Sequence, residues 1–214
     1  SEYDYELLGY ITPKKMGQAY HCPVFNGLSK QTTSEQLMDL GTQLNIHGIV
    51  PMFHVVGVTP EAADVHTAFL GRKDPPVVTI TNEDLAQARA EISAGTGKAD
   101  FCILGCPHLT INQVGSIAKM LDGQQLAGQL YIFTSTSTKE LAQRMGYLDI
   151  IHKAGGEIVI NSCVDQPCWS HLYGMSGVTE SPKCAYYTKR WNMTFTVKSI
   201  PACIQSVLKG EIVS

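Results

Sequence analysis

"DFCILGCPHLTINQVGSIAKML", residues 100–121, holds one strand, one turn and one helix in a row. "DFCILG" (100–105) is an apolar run short enough for a buried strand, and Gly105 permits a tight turn at its end. Thr110 then stands at an N-cap position, ahead of a helix-like run that continues to about Met120. Between strand and helix sit Cys106, Pro107 and His108. A thiolate near a helix start gains from the positive end of the helix dipole and from unpaired N–H groups. Two readings are open on this stretch alone: a small buried thiol with His108 filling space, or a ligand or nucleophile with an imidazole beside it.

The same alternation runs along the chain. Strands are expected at "GIVPMFHVVGV" (48–58), "VVTI" (77–80), "GQLYIFTST" (128–136), "GGEIVINSC" (155–163) and "TFTVKS" (194–199). Helices are expected at "TTSEQLMDLGTQL" (32–44), where Thr33 and Gln36 have capping-box spacing, and at "TNEDLAQARAEI" (81–92), capped by Thr81. "TKELAQRMG" (138–146) and "IPACIQSVLKG" (200–210) complete the series, with Gly146 and Gly210 as stops and Ser199 as a cap. Five or six such units predict one α/β domain over 1–214, with a mostly parallel sheet flanked by helices. The stretch 164–191 has weak periodicity and reads as a long functional loop.

Composition narrows the function. The 16 basic and 19 acidic residues give a net charge of −3, too near neutral for a nucleic-acid footprint. No apolar run reaches the roughly 18 residues of a membrane span. "SEYDYELLGY" is acidic where a signal peptide would be positive. Seven cysteines without a CxxC point to free or metal-bound thiols in a reducing compartment, so a cytoplasmic location is expected.

In a parallel sheet, ligands bind beyond the carboxyl ends of the strands, and the unusual residues collect there. His54, Gly57 and Thr59 follow one expected strand, Cys106 and His108 a second, Ser135 and Ser137 a third, Asn161 and Cys163 a fourth. Thr59, Pro60 and Glu61 read as a helix start, whose free N–H groups serve capping or an anion equally well. His54 lies in an apolar run and is either a core or a catalytic histidine. Cys168 and His171 have CxxH spacing, and Ser181 and Lys183 stand near tyrosines in "TESPKCAYY" (179–187). Nucleotide-binding, α/β-hydrolase and zincin signatures are absent.

Taken in order, "GYITPKKMGQAYHCPVFNGL" (9–28), "FHVVGVTPEAADV" (53–65), "ILGCPHLTINQV" (103–114) and "GVTESPKCAYY" (177–187) resemble the catalytic region of the aconitase X family. The resemblance runs from about Leu8 to Gly210. It implies an aconitase-like α/β fold and a hydro-lyase acting on a small hydroxy acid, such as mevalonate 5-phosphate or cis-3-hydroxy-L-proline. It implies an iron–sulfur cluster, with Cys106 and Cys163 on family cysteine positions and a third ligand unassigned between Cys168, Cys184 and an upstream segment. It further implies His54 and His108 at the leaving oxygen, and Thr59, Glu61, Ser181 and Lys183 on the carboxylate or phosphate. The proton-abstracting serine of the family sits on a small swivel domain or subunit, so such a partner and a longer catalytic subunit are expected. Where the family carries Asp, Asn and His, this chain has Asn161, Glu180 and Tyr186, and Glu180 would add negative charge where an anion docks. Two other readings compete: a noncatalytic or degenerate α/β domain, and a metal-free cysteine enzyme using Cys106 and His108.

Overall fold

The structure is a computed structural model that describes residues 2–17, 21–73, 75–93 and 97–213. Gln18, Ala19 and Tyr20 of the first family-like stretch lie outside the described residues. The chain forms two compact units, 1–88 and 89–214. Among the described residues no helix is long and apolar enough to cross a membrane.

In the first unit, α1 (Glu2–Lys15) packs on α2 (Ser34–Gln43). Helix α2 opens on the expected capping box: the Thr33 side chain accepts from the Gln36 N–H, and the Gln36 side chain accepts from the Thr33 N–H. Strands β1 (Val24–Phe25) and β2 (His54–Val55) pair in parallel, Val24 opposite His54. Tyr5, Leu40, Leu44, Val50 and Val55 form the apolar centre.

Three expectations fail in this unit. The predicted strand 48–58 contracts to the two residues of β2. No strand forms at 77–80: Val77 is 85% exposed and has no partner strand to pair with. Nor does a helix start at Thr59. Its hydroxyl accepts from the Val55 N–H at 3.0 Å and closes a turn, while α3 (Val65–Ala68) begins six residues later under an Asp64 cap. Helix α4 (Asn82–Ile92) starts as expected, with Thr81 and Asp84 exchanging hydrogen bonds.

The second unit is built on a five-stranded, all-parallel sheet. Its strands are β3 (Phe101–Leu104), β4 (Gln129–Thr134), β5 (Gly156–Ile160), β6 (Ser176–Thr179) and β7 (Thr194–Val197), in spatial order β5-β4-β3-β6-β7. Helices α5 (Ile111–Leu121), α6 (Thr136–Arg144), α7 (Tyr147–Ala154), α8 (Pro182–Thr188) and α9 (Ile200–Lys209) complete it. Leu104, Ile117, Leu130, Ile132, Ile151 and Val207 belong to one buried core that joins the sheet to α5, α7 and α9.

The loop expected over 164–191 instead contains a 3₁₀ turn (Pro167–Leu172), β6 and α8. Strand β6 is hard to read because "SGVT" is short and contains glycine. That glycine is a packing requirement, since a Cβ on Gly177 would meet the Phe101 ring at 2.6 Å. The strand order has one consequence for function. From β3 the chain winds outward through β4 and β5, then returns to lay β6 on the other side of β3. The order therefore reverses between β3 and β6, which places a topological switch point there.

Candidate active site

Gly105 ends β3 with φ 113°, a conformation L side chains rarely adopt, and the carbonyl oxygen of Phe133 occupies the space a Cβ would need. The chain then passes through Cys106 and a cis Cys106–Pro107 bond. Leu109 pins this loop to β4: its N–H donates to the Phe133 carbonyl at 3.0 Å, and its carbonyl accepts from Thr134 Oγ1 at 2.6 Å. Thr110 and Gln113 close a capping box that starts α5, so Gln113 does there what a glutamate does in other boxes.

The loop after β5 reaches across to meet it. His108 is exposed and its Nε2 donates to the Ser162 carbonyl at 3.1 Å, a bond that fixes the neutral tautomer as Nε2–H. Asn161 adopts φ 50°, which asparagine tolerates, and its Nδ2 donates to Thr136 Oγ1 at 2.9 Å. Cys163 is exposed, and the Asp165 N–H points at its sulfur from 3.4 Å. Asp165 is held in turn by a two-pronged Arg190 pair at 2.9 and 2.6 Å and by the Trp191 indole N–H at 2.8 Å. The Trp169 indole N–H donates to the Cys163 carbonyl at 3.2 Å. An open pocket of about 430 Å³ lies here, lined by Cys163, Asn161 and Cys168 among others. The larger cavity, about 490 Å³, opens at the amino ends of the strands beside Asp100 and Gln129.

From the other side of the switch point, the loop after β6 brings Glu180, Ser181 and Lys183. Ser181 caps α8 and hydrogen-bonds the Cys106 thiol, and the Lys183 ammonium is close enough to favour its ionised form. The charges of Glu180 and Cys163 oppose ionisation. Burial outweighs all of these and pushes the Cys106 thiol up to about 11. The nucleophile reading of Cys106 is therefore weakened, because α5 begins only at Ile111 and its dipole does not offset desolvation.

The structure thus brings together Cys106, His108, Cys163, Ser181 and Lys183. His54, Thr59 and Glu61 form a separate group in the first unit. His54 is mostly buried, its Nδ1 makes no hydrogen bond, and Glu61 Oε2 stands 3.9 Å from that atom. Cys168 is exposed in the 3₁₀ turn, and His171 bonds the Tyr131 hydroxyl at 3.1 Å, so their CxxH spacing does not converge on a metal site. Cys184 is buried within electrostatic reach of Cys106 and Cys163. Among the described residues no three ligating side chains converge on one point.

Glu180 is the largest correction to the sequence reading. Expected to face an anionic substrate, it is instead 3% exposed and bonded to backbone amides. Burial, the larger influence, raises its pKa above the usual carboxylate value against the pull of those hydrogen bonds. Reading it correctly required knowing that β6 ends at Thr179. Asp165 and Arg190 were missed for a similar reason, since they are 25 residues apart and meet only in the folded chain.

A parallel sheet with helices packed on it and cysteine-bearing loops and a lysine at its switch point defines an α/β domain, the class in which ligands gather beyond the strand ends. Residues 1–90 match the aconitase X second domain and residues 99–209 the aconitase X third domain. The chain belongs to the aconitase X family. It is 35% identical over 185 residues to the phosphomevalonate dehydratase large subunit of Methanothermobacter thermautotrophicus, a match covering 86% of this chain and 44% of that protein. It is 32% identical over 171 residues to the cis-3-hydroxy-L-proline dehydratase of Pseudomonas aeruginosa, covering 76% and 29%. The crystal structure of Thermococcus kodakaraensis aconitase X in its holo-form superimposes with a TM-score of 0.82 at 27% identity, covering 97% of this chain and 52% of that one. The chain spans about half the length of the phosphomevalonate dehydratase subunits it matches.

Proposed function

We propose that this chain is the cluster-binding part of a hydro-lyase that dehydrates a small hydroxy acid of the mevalonate 5-phosphate or cis-3-hydroxy-L-proline type. The observation that carries the reading is the meeting of the Cys106 and Cys163 loops at one end of the parallel sheet, tied by His108 and Ser162. Each thiol lies within electrostatic reach of the other. They fit two ligands of an iron–sulfur cluster, and the third comes from outside the described arrangement. When bound, such a cluster supplies a Lewis-acidic iron for a leaving hydroxyl.

The rest of the chemistry falls to side chains. Lys183 attracts the carboxylate or phosphate of the substrate, while the buried Ser181 supports that loop by capping α8 and bonding the Cys106 thiol. Thr59 closes the turn onto Val55 and Glu61 stands beside His54, so neither opens an anion-binding helix start. His108, held in place through Nε2, donates from Nδ1 to the leaving oxygen when its ring is protonated, while His54 is flanked by Glu61 within the first unit. Proton abstraction belongs to the small partner subunit or fused swivel domain, in keeping with relatives named as large subunits. The chain is then one piece of a longer catalytic subunit, active in the cytoplasm.

The test is anaerobic reconstitution with iron and sulfide. Brown protein with both elements in proportion is expected; Cys106→Ala and Cys163→Ser lose them and Cys22→Ser does not. Colourless wild-type protein overturns the reading and leaves a noncatalytic α/β domain; equal loss in all three variants overturns the assignment of the two cysteines.

A further inference from the structure

Glu180 spans the switch point. Its Oε1 accepts from the Gly105 N–H at 2.6 Å and from the Cys106 N–H at 3.2 Å, while Thr179 Oγ1 donates to Oε2 at 3.3 Å. The two amides belong to β3's exit turn and the carboxylate to β6's, so one side chain joins the two loops where the strand order reverses. Pro107 has no N–H, so Cys106 contributes the last amide before the cis bond. Both carboxylate oxygens are engaged, and the residue is buried. It is therefore poorly placed to touch a substrate and well placed to set the direction of the Cys106 side chain.

We infer that Glu180 is a positioning residue, whose reach across the switch point clamps the Gly105–Cys106 backbone and so aims the Cys106 sulfur. This rests on Cys106 being a cluster ligand. What the clamp needs is an acceptor oxygen at the right distance; the negative charge is secondary. Glutamine keeps that oxygen and can donate its amide to Thr179 Oγ1. Aspartate keeps the charge but is shorter by one methylene, roughly 1.5 Å of lost reach. A buried amide that loses its acceptor opens more readily, by on the order of tenfold for one hydrogen bond.

The experiment compares Glu180→Gln, Glu180→Asp and Glu180→Ala in the full chain. In metal-free protein, hydrogen exchange at the Gly105 and Cys106 amides and iodoacetamide labelling of Cys106 are measured. After anaerobic reconstitution, iron and sulfide content and the visible circular dichroism spectrum follow. Glutamine should match wild type within about twofold on every readout, whereas aspartate and alanine raise exchange and labelling by about tenfold and alter the spectrum. If alanine does not fold, the glutamine and aspartate pair still decides the matter. Glutamine behaving like alanine, or aspartate like wild type, overturns the clamp. The two proposals fail separately: wild-type protein that takes up no iron sinks the cluster reading while exchange and labelling still judge the clamp. Unchanged exchange in a protein that loads iron normally does the reverse.

Discussion

Replacing Gly105 by alanine tests the turn that delivers Cys106 to the site. Two separate costs follow from the structure. At φ 113° an L side chain is strained by about 1–2 kcal/mol. The new Cβ would also overlap the Phe133 carbonyl oxygen and approach Phe133 Cβ at 2.8 Å. These atoms belong to β4, a central strand paired on both sides, so they cannot retreat cheaply, and overpacking adds about 1–3 kcal/mol. The expected total is about 2–5 kcal/mol. Gly123→Ala supplies the control, because Gly123 has φ 69° but nothing within 4 Å of its missing Cβ, and should lose only about 1 kcal/mol. Urea denaturation followed by tryptophan fluorescence is the assay. Both tryptophans, Trp169 and Trp191, lie in the 89–214 unit, so the signal reports that unit. Equal losses in the two variants would refute the steric argument and show that backbone strain alone governs this turn.

Two further outcomes follow from the same region. The Cys106 thiol is raised from the usual 9 to about 11, so its contribution to stability is complete below pH 9 and is lost as pH rises through 11. The loss is about 2–3 kcal/mol over that window, and alkylation of metal-free protein at pH 8 should run about a hundredfold slower at Cys106 than on a free cysteine peptide; fast labelling at neutral pH would restore the nucleophile reading. Thr110→Ala removes the acceptor for the Gln113 N–H and should cost about 1 kcal/mol in the same urea assay, with Thr110→Ser near wild type; no difference between alanine and serine would mean that the box does not hold α5.

Much of the second unit was legible along the chain. The apolar run of β3, its exit glycine and the Thr110–Gln113 box at the head of α5 are all signals carried by residues a few positions apart. The same holds for Thr33 with Gln36, and for Gly210 at the end of α9. The parallel α/β class followed from repeating such units, and the family resemblance followed from four ordered motifs.

What stayed hidden depended on partners distant in sequence. Val77 and Val78 have strand-like side chains but no neighbouring strand, so no strand forms. Ser176–Thr179 looks like loop, yet pairs with both β3 and β7 because Gly177 makes room for Phe101. Thr59 carries a cap signal that a turn to Val55 absorbs.

The residue types and their local spacing were enough to specify α2, α4, α5, α6 and α9, several of their caps, the sheet class and the candidate cysteines, because those preferences act within one or two turns of backbone. Which loops became neighbours was decided only by strand order, and with it whether Glu180 faced a ligand or the backbone of Cys106. The energy that settles such adjacency comes from burying side chains against elements distant in sequence, and polar ties such as the Gly105–Glu180 bond, 75 residues apart, follow from it.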